Sequence, residues 1–421
     1  MQDNKITAKG LSVWLICAVF FLYEFLLRTV IGTFQHPIMY DLDLTTFRYS
    51  ILSSTTYLMV YGLMQIPVGI IVDNYGLKKS LFVSALICSL ANLGFAFTQN
   101  FHYAIIFRML TGLGSAFGFI CLLVSVYDWL PNSRSALFIG ISQFIGTMGP
   151  MLAAGPLDSL SGASSITWRH IFIYLSIIGV FLSVIILLFV ENNHNKAGKH
   201  TVLYKPEPIY FSLTKLFKSY HPWIIAIFCA MIYFSIEYLS ENEGKSFLIE
   251  KGFSSGFSSY MITVAWLGYA LGCPFLGFIS DYIQKRKPIL VTAALFSAFS
   301  IASITFCTNI YLISISFFLL GFGASGISIG YALMAEQFKK NFIAIGLGLN
   351  NGMITVVSAI NAPILGVLLN YHGNPEFTLP DYQFAFSFLV GLVFLSIILV
   401  VFFIKESFCK SQATFTILDR N

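Results

Sequence analysis

The chain has 421 residues, 57% of them Ala, Val, Ile, Leu, Met, Phe, Trp, Tyr or Cys and only 10% charged, with a formal net charge of +5. Soluble domains carry about 25% charged residues, so composition excludes a water-soluble enzyme, a disordered chain and a secreted disulfide scaffold. At roughly 20 residues per crossing, twelve membrane spans use about 240 residues and leave only short loops.

The predicted spans, in chain order, are apolar runs at about 11–34, 50–72, 80–98, 102–127, 135–157, 170–190, 222–240, 258–280, 289–306, 309–335, 342–369 and 382–404, bounded by Gly, Pro, Asn or charge. No small-residue cleavage site follows the first run, which reads as a retained span. The expected architecture is an all-α membrane protein of twelve helices. It divides into a first half over 1–190, a linker over 191–221 and a second half over 222–421. Twelve crossings put both termini on one side. Of the 24 Lys and Arg, 18 fall at the termini and in the even-numbered loops, and 4 in the odd-numbered loops. Positive residues stay cytoplasmic, so both termini are expected inside a plasma membrane, that of a bacterium. The seven cysteines stand singly, with neither a disulfide framework nor a metal site.

The halves repeat one another. Gly69-Ile-Ile-Val-Asp73-Asn-Tyr-Gly76-Leu-Lys78-Lys79 after span 2 matches Gly277-Phe-Ile-Ser-Asp281-Tyr-Ile-Gln284-Lys-Arg286-Lys287 after span 8. Thr111-Gly112-Leu-Gly114 in span 4 matches Leu320-Gly321-Phe-Gly323 in span 10. Glu24-Phe-Leu-Leu-Arg28 in span 1 matches Glu237-Tyr-Leu-Ser-Glu241 in span 7. In-order matches at a nearly constant offset mark duplicated six-span halves, as in rocking transporters.

On these motifs the chain resembles the major facilitator superfamily over its full length. Gly69–Lys79 looks like that family's loop signature, Arg108–Gly114 like its span-4 motif, and Gly149-Pro150 like the start of its antiporter motif. In the last, Ala153-Ala154 replace the expected Gly pair. Tyr23–Arg28 with Met64-Gln65-Ile-Pro67-Val-Gly69 is similar to a bacterial branch related to lysosomal dipeptide carriers and phagosomal amino-acid transporters. That resemblance implies alternating access and uptake of amino acids or short peptides.

The loop motif suits a gate. Gly69 and Gly76 allow a tight turn, Asp73 suits a helix N-terminus, and Lys78 and Lys79 can pair with acids when one side is closed. Gly277, Asp281, Arg286 and Lys287 form the second copy. Lys78 and Lys79 also satisfy the positive-inside rule by themselves.

The embedded charges point to the solute. Glu24 lies within about 2 Å of the middle of its span and Arg28 one turn further along. Two charges in lipid cost about 5–7 kcal/mol on insertion scales, so they are expected to face a wet cavity. Arg28 offers a fork for a carboxylate; Glu24 or Glu237 suits an ammonium group or a proton. Glu241 and Glu243 read as acids near the interface. Arg108 either lines the cavity or snorkels outward. Tyr23, Tyr57, Tyr127, Tyr233 and Tyr238 are candidate lining residues, with helix packing the plainer reading of each. Asn350, Asn351 and Asn361 are unusually polar for a crossing. No nucleotide-binding loop occurs. The expected function is proton-coupled uptake of an amino acid, short peptide or similar zwitterion by a monomer. It needs no cofactor, metal or nucleic acid, and no enzymatic activity. An exporter of a metabolite, drug or siderophore is the alternative; a sensor or channel fits less well.

Overall fold

The computed structural model describes residues 6–130, 135–162, 166–192, 220–337, 343–371 and 377–409, leaving aside the side chains of residues 66, 70, 73, 135–137 and 343–345. The lysines expected in the linker, Lys196, Lys199, Lys205, Lys215 and Lys218, lie outside the described residues.

Among the described residues all regular structure is helical. The first half contains α1 (Ala8–Thr33), α2 (Gln35–Asp41), α3 (Thr46–Ser50), a π-helical turn (Ile51–Thr55), α4 (Thr56–Tyr75), α5 (Leu77–Phe97), α6 (Phe101–Ser115), α7 (Phe117–Trp129), α8 (Ser135–Ala153), α9 (Gly155–Gly162) and α10 (Trp168–Phe189). The second half contains α11 (Tyr220–Glu241), α12 (Gly244–Glu250), α13 (Ser255–Ile283), α14 (Lys287–Phe306), α15 (Ile310–Ala324), α16 (Ile327–Glu336), α17 (Ile343–Leu369) and α18 (Leu379–Ile398), which ends in a π-helical turn (Leu399–Phe403).

Eleven stretches among the described residues are helical, long and apolar enough to cross a membrane, and each coincides with an expected span. The second span is built differently. It runs helically through α3 and α4 but widens to a π turn at Ile51–Thr55. Within it Thr56 Oγ1 bonds back to Leu52 O at 3.0 Å, and the Leu52 and Ser53 carbonyls accept from Arg108.

The repeat seen in the sequence recurs in the backbone. Asn100 caps α6 by accepting from His102 N, and Asn309 caps α15 by accepting from Tyr311 N and Leu312 N. Span 4 breaks at Ala116 and span 10 at Ser325, each after a glycine pair that admits a neighbour. A Cβ on Gly114 would meet Ser84 O at 2.8 Å, and one on Gly323 would meet Ala293 O at 2.7 Å.

The chain forms two compact units. One comprises residues 1–193, 238–266 and 358–382; the other comprises 194–237, 267–357 and 383–421. Within the first, α1 packs on α7 and α8, and α5 packs on α6 and α10; within the second, α14 packs on α15. Large apolar side chains such as Phe181, Leu188, Phe278 and Phe402 are exposed, as lipid-facing helix surfaces require.

Candidate functional site

In the first unit α1 carries two buried charges. Glu24 is 2% exposed and Arg28 7%. Glu24 fits against α7 because position 118 is glycine: a Cβ there would sit 2.8 Å from Glu24 Cγ. On the α4 side the Tyr57 hydroxyl donates to Glu24 Oε2 at 3.2 Å. Tyr57 can come this close because Gly112 of α6 lies on its carbonyl, where a Cβ would stand at 2.5 Å.

Arg108 is 1% exposed and does not snorkel. Its guanidinium lies over the Tyr57 ring, 4.8 Å from the centroid. It donates to Leu27 O (3.1 Å) and Arg28 O (3.4 Å) on α1, and to Leu52 O (3.4 Å) and Ser53 O (2.8 Å) in the π turn. Arg108 therefore ties α1, α6 and the π turn together through backbone oxygens, and it holds the ring that donates to Glu24.

Arg28 Nε donates to Glu241 Oε1 at 2.7 Å, with both side chains almost wholly buried. Gly32 makes this approach possible, since a Cβ there would lie 2.0 Å from Ser240 O. Tyr49 on α3 donates to both Ile31 O (2.9 Å) and Glu241 O (3.1 Å). Asn242 accepts from Ser53 Oγ at 2.6 Å and donates to Ser54 Oγ at 2.9 Å. The polar run Ser240-Glu241-Asn242-Glu243, which reads in sequence as a solvated loop, is buried throughout. Its burial has one sequence signal: Arg28 and Glu241, of opposite charge, hold equivalent places in the two repeats.

The other expected residues are dispersed. Tyr23 turns to α10, donates to Leu175 O at 2.8 Å and packs on Gly179. Tyr127 is exposed and lies nine residues from Gly118, about 13 Å along the helix. Tyr238 is buried in the first unit. In the second unit Glu237 and Asn350 are buried, Tyr233 packs edge-on to Tyr269 with centroids 5.8 Å apart, and Asn351 accepts from the Tyr331 hydroxyl at 2.8 Å. Gly149, the antiporter-like residue, is explained by packing: a Cβ there would lie 2.4 Å from Leu22 O on α1.

The two loop motifs differ in detail. Gly76 ends α4 with φ +83°, and Lys78 N donates to Asn192 Oδ1 at 3.0 Å. A Cβ on Gly69 or Gly277 would meet open space. Lys79 is exposed, and the Asp73 side chain lies outside the described residues. In the second copy Arg286 bonds Glu336 Oε1 through Nε (3.1 Å) and Nη2 (2.9 Å), and Asp281 through Nη1 (2.6 Å). Glu406 accepts from the backbone N–H groups of Arg286 and Lys287, each at 2.9 Å, at the start of α14. Lys287 Nζ reaches Val401 O at 2.7 Å. Gln284 takes the place of Gly76 with φ +55°.

Known proteins agree with this architecture. The family model of the Major Facilitator Superfamily matches residues 15–243 and 244–413. A hexuronate transporter of Bacillus subtilis is 23% identical, over 89% of this chain and 90% of its own. The sialic acid transporter NanX of Escherichia coli is 24% identical, over 88% and 90%. The crystal structure of a D-xylose-proton symporter superposes with a TM-score of 0.76 at 14% identity, over 95% and 99%. With the family model covering nearly all of the chain and the helical breaks duplicated, the protein is a multi-pass membrane transporter that belongs to the Major Facilitator Superfamily.

Proposed function

We propose that the protein imports a small carboxylate-bearing metabolite together with protons. The observation that carries this reading is the buried Arg28–Glu241 ion pair beside Glu24. Glu24, Arg28, Arg108 and Glu241 bring two formal charges of each sign into one buried cluster. A solute carboxylate that displaces Glu241 from the Arg28 fork adds a negative charge. In a low-dielectric site an uncompensated charge costs several kcal/mol, so a proton on Glu241 or Glu24 accompanies each carboxylate. The cluster thereby links solute binding to proton binding without nucleotide hydrolysis.

A sugar acid is favoured by the acids named for the relatives, hexuronate and sialic acid. An amino acid or short peptide uses the same fork and adds an ammonium group for Glu24 or Glu237. The chain works as a monomer in a bacterial inner membrane, with both termini cytoplasmic. Two six-span halves, joined by the linker over 191–221, rock against each other, and the Gly69–Lys79 and Gly277–Lys287 loops bias the cytoplasmic side.

The test is a thermal-shift screen of the purified protein against sugar acids, amino acids, dipeptides, neutral sugars and nucleosides. Liposome uptake of each ligand is then measured with and without a pH difference. Stabilisation by carboxylate-bearing solutes, and accumulation driven by external acid, are expected. Binding confined to solutes without a carboxylate, or uptake indifferent to the pH difference, would overturn the reading.

A further inference from the structure

The segment beyond α11 carries a second fully buried carboxyl. Glu243 is 1% exposed, and both its hydrogen-bond donors are neutral. Gln35 Nε2 on α2 donates to Oε1, and the Tyr382 hydroxyl on α18 donates to Oε2 at 3.2 Å. No cation is among its partners in the described residues. The three residues come from distant parts of the chain, so this carboxyl joins α2 of the first half to the segments that start α12 and α18.

A cavity of about 420 Å³ ends one side chain short of it. Gln35, His36, Asp158, Trp168, Lys245 and Ser246 are among its lining residues. The Ser246 hydroxyl donates to Gln35 Oε1 at 2.7 Å and lies 3.0 Å from His36 Nε2. Lys245 is paired with Asp158. A cavity of this size, with these polar side chains in its lining, admits water, which then stands one hydrogen-bonded link from Glu243.

We propose that Glu243 is a proton-binding site that latches this end of the molecule, the external end in the orientation given above. With the proton on, Glu243 accepts from Gln35 and shares its hydrogen with Tyr382, and α2, α12 and α18 stay joined. With the proton off, the charge is stranded among neutral donors. Water from the cavity then solvates it, and the contacts part.

The surrounding groups leave Glu243 as the one that switches. Tyr49, Tyr238 and Tyr382 face it with phenolic hydroxyls, which are neutral at physiological pH. Glu250 lies beyond Tyr382, and Glu241 is held by Arg28. Burial and then the Lys245 charge hold His36 below the usual histidine range. Burial pushes the Glu243 carboxyl up to about 7, against the pull of the Gln35 and Tyr382 hydrogen bonds. A hydrated glutamate titrates near 4.3, so the joined arrangement binds the proton more tightly than the parted one. The ratio of parted to joined molecules therefore rises about tenfold per pH unit between about 4.5 and 7 and is level above that.

The test needs neither solute nor flux, so its outcome is independent of the transport reading. Spin labels are placed at Tyr40→Cys, where the native side chain is 89% exposed, and at Gly256→Cys, where a side chain meets open space. The full chain is used, with its native cysteines replaced, in lipid nanodiscs frozen between pH 5 and 8. A longer label separation is expected to grow in from pH 5 to 7. Glu243→Gln keeps the pH 5 separation throughout. Tyr382→Phe, which removes a donor to the ionised form, moves the level region to higher pH. An unchanged separation from pH 5 to 8, a Glu243→Gln protein that responds like its parent, or a Tyr382→Phe protein with an unmoved plateau would each overturn the proposal.

Discussion

Arg28 and Glu241 lie 213 residues apart in the chain and 2.7 Å apart in space. That separation is the repeat offset between Glu24–Arg28 and Glu237–Glu241, so the ion pair joins equivalent positions of the two halves. Like charges at these two matched positions would repel. Divergence to opposite charges turns that contact into an attraction between spans 1 and 7.

Breaking this pair from one side leaves a buried charge without its partner. Arg28→Met or Glu241→Leu is each expected to destabilise the protein by about 3–5 kcal/mol. The double variant should lose less than the sum of the two, because neither charge is stranded. Thermal unfolding in a fixed detergent checks this; strict additivity would show that the pair does not act as a unit. Arg28→Met should also lose binding of carboxylate-bearing solutes, whereas Glu241→Leu, which frees the Arg28 fork, should keep it and lose the dependence on protons.

Glu24 tests the coupling. Glu24→Gln keeps the acceptor for Tyr57 but not the charge. It should abolish uphill accumulation driven by a pH difference while leaving exchange of labelled for unlabelled solute intact. Normal accumulation in this variant would remove Glu24 from the proton pathway.

Arg108 acts by position. Its four carbonyl acceptors and the Tyr57 ring make Arg108→Lys a poor substitute, since an ammonium cannot reproduce the planar fork. The expected result is slower turnover with solute affinity changed less than threefold. A selective loss of affinity would instead make Arg108 a solute ligand.

The second loop copy holds two measurable stability terms. Gln284 adopts φ +55°, a region that costs a side-chain-bearing residue about 1–2 kcal/mol. Gln284→Gly should therefore raise stability by about 0.5–1 kcal/mol after the entropy of glycine is subtracted, read as a higher unfolding temperature.

Glu406 caps α14 with its carboxylate. Burial raises its titration, but the N–H donors of Arg286, Phe408, Lys287 and Ser407 outweigh that and hold it below the usual carboxylate range. A depressed acid contributes stability above its unfolded value, near 4.3, and loses it as pH falls through the folded one. Glu406→Ala should cost about 1 kcal/mol at neutral pH, a difference that disappears in acid once the native carboxyl is protonated. Hydrogen exchange of the first turn of α14 reads the effect.

The sequence by itself determined the class of the protein, its spans and its duplication. Apolar run length fixes crossings because lipid offers backbone groups no partners. Gly112, Gly114 and Gly323 of the repeated motif stand where a Cβ would meet a neighbouring backbone oxygen, so close helix packing there needs glycine. Tertiary structure alone decided which charges meet. Glu241 and Glu243 follow an apolar run and read as solvated acids, yet both are buried against residues of the first half, because Gly32 and Gln35 give them a surface to enter. Tyr23 neighbours Glu24 in the chain and points the other way, since consecutive residues of a helix are turned about 100° apart. Local sequence sets the period of a helix; the fate of a charge depends on partners hundreds of residues away, which only packing supplies.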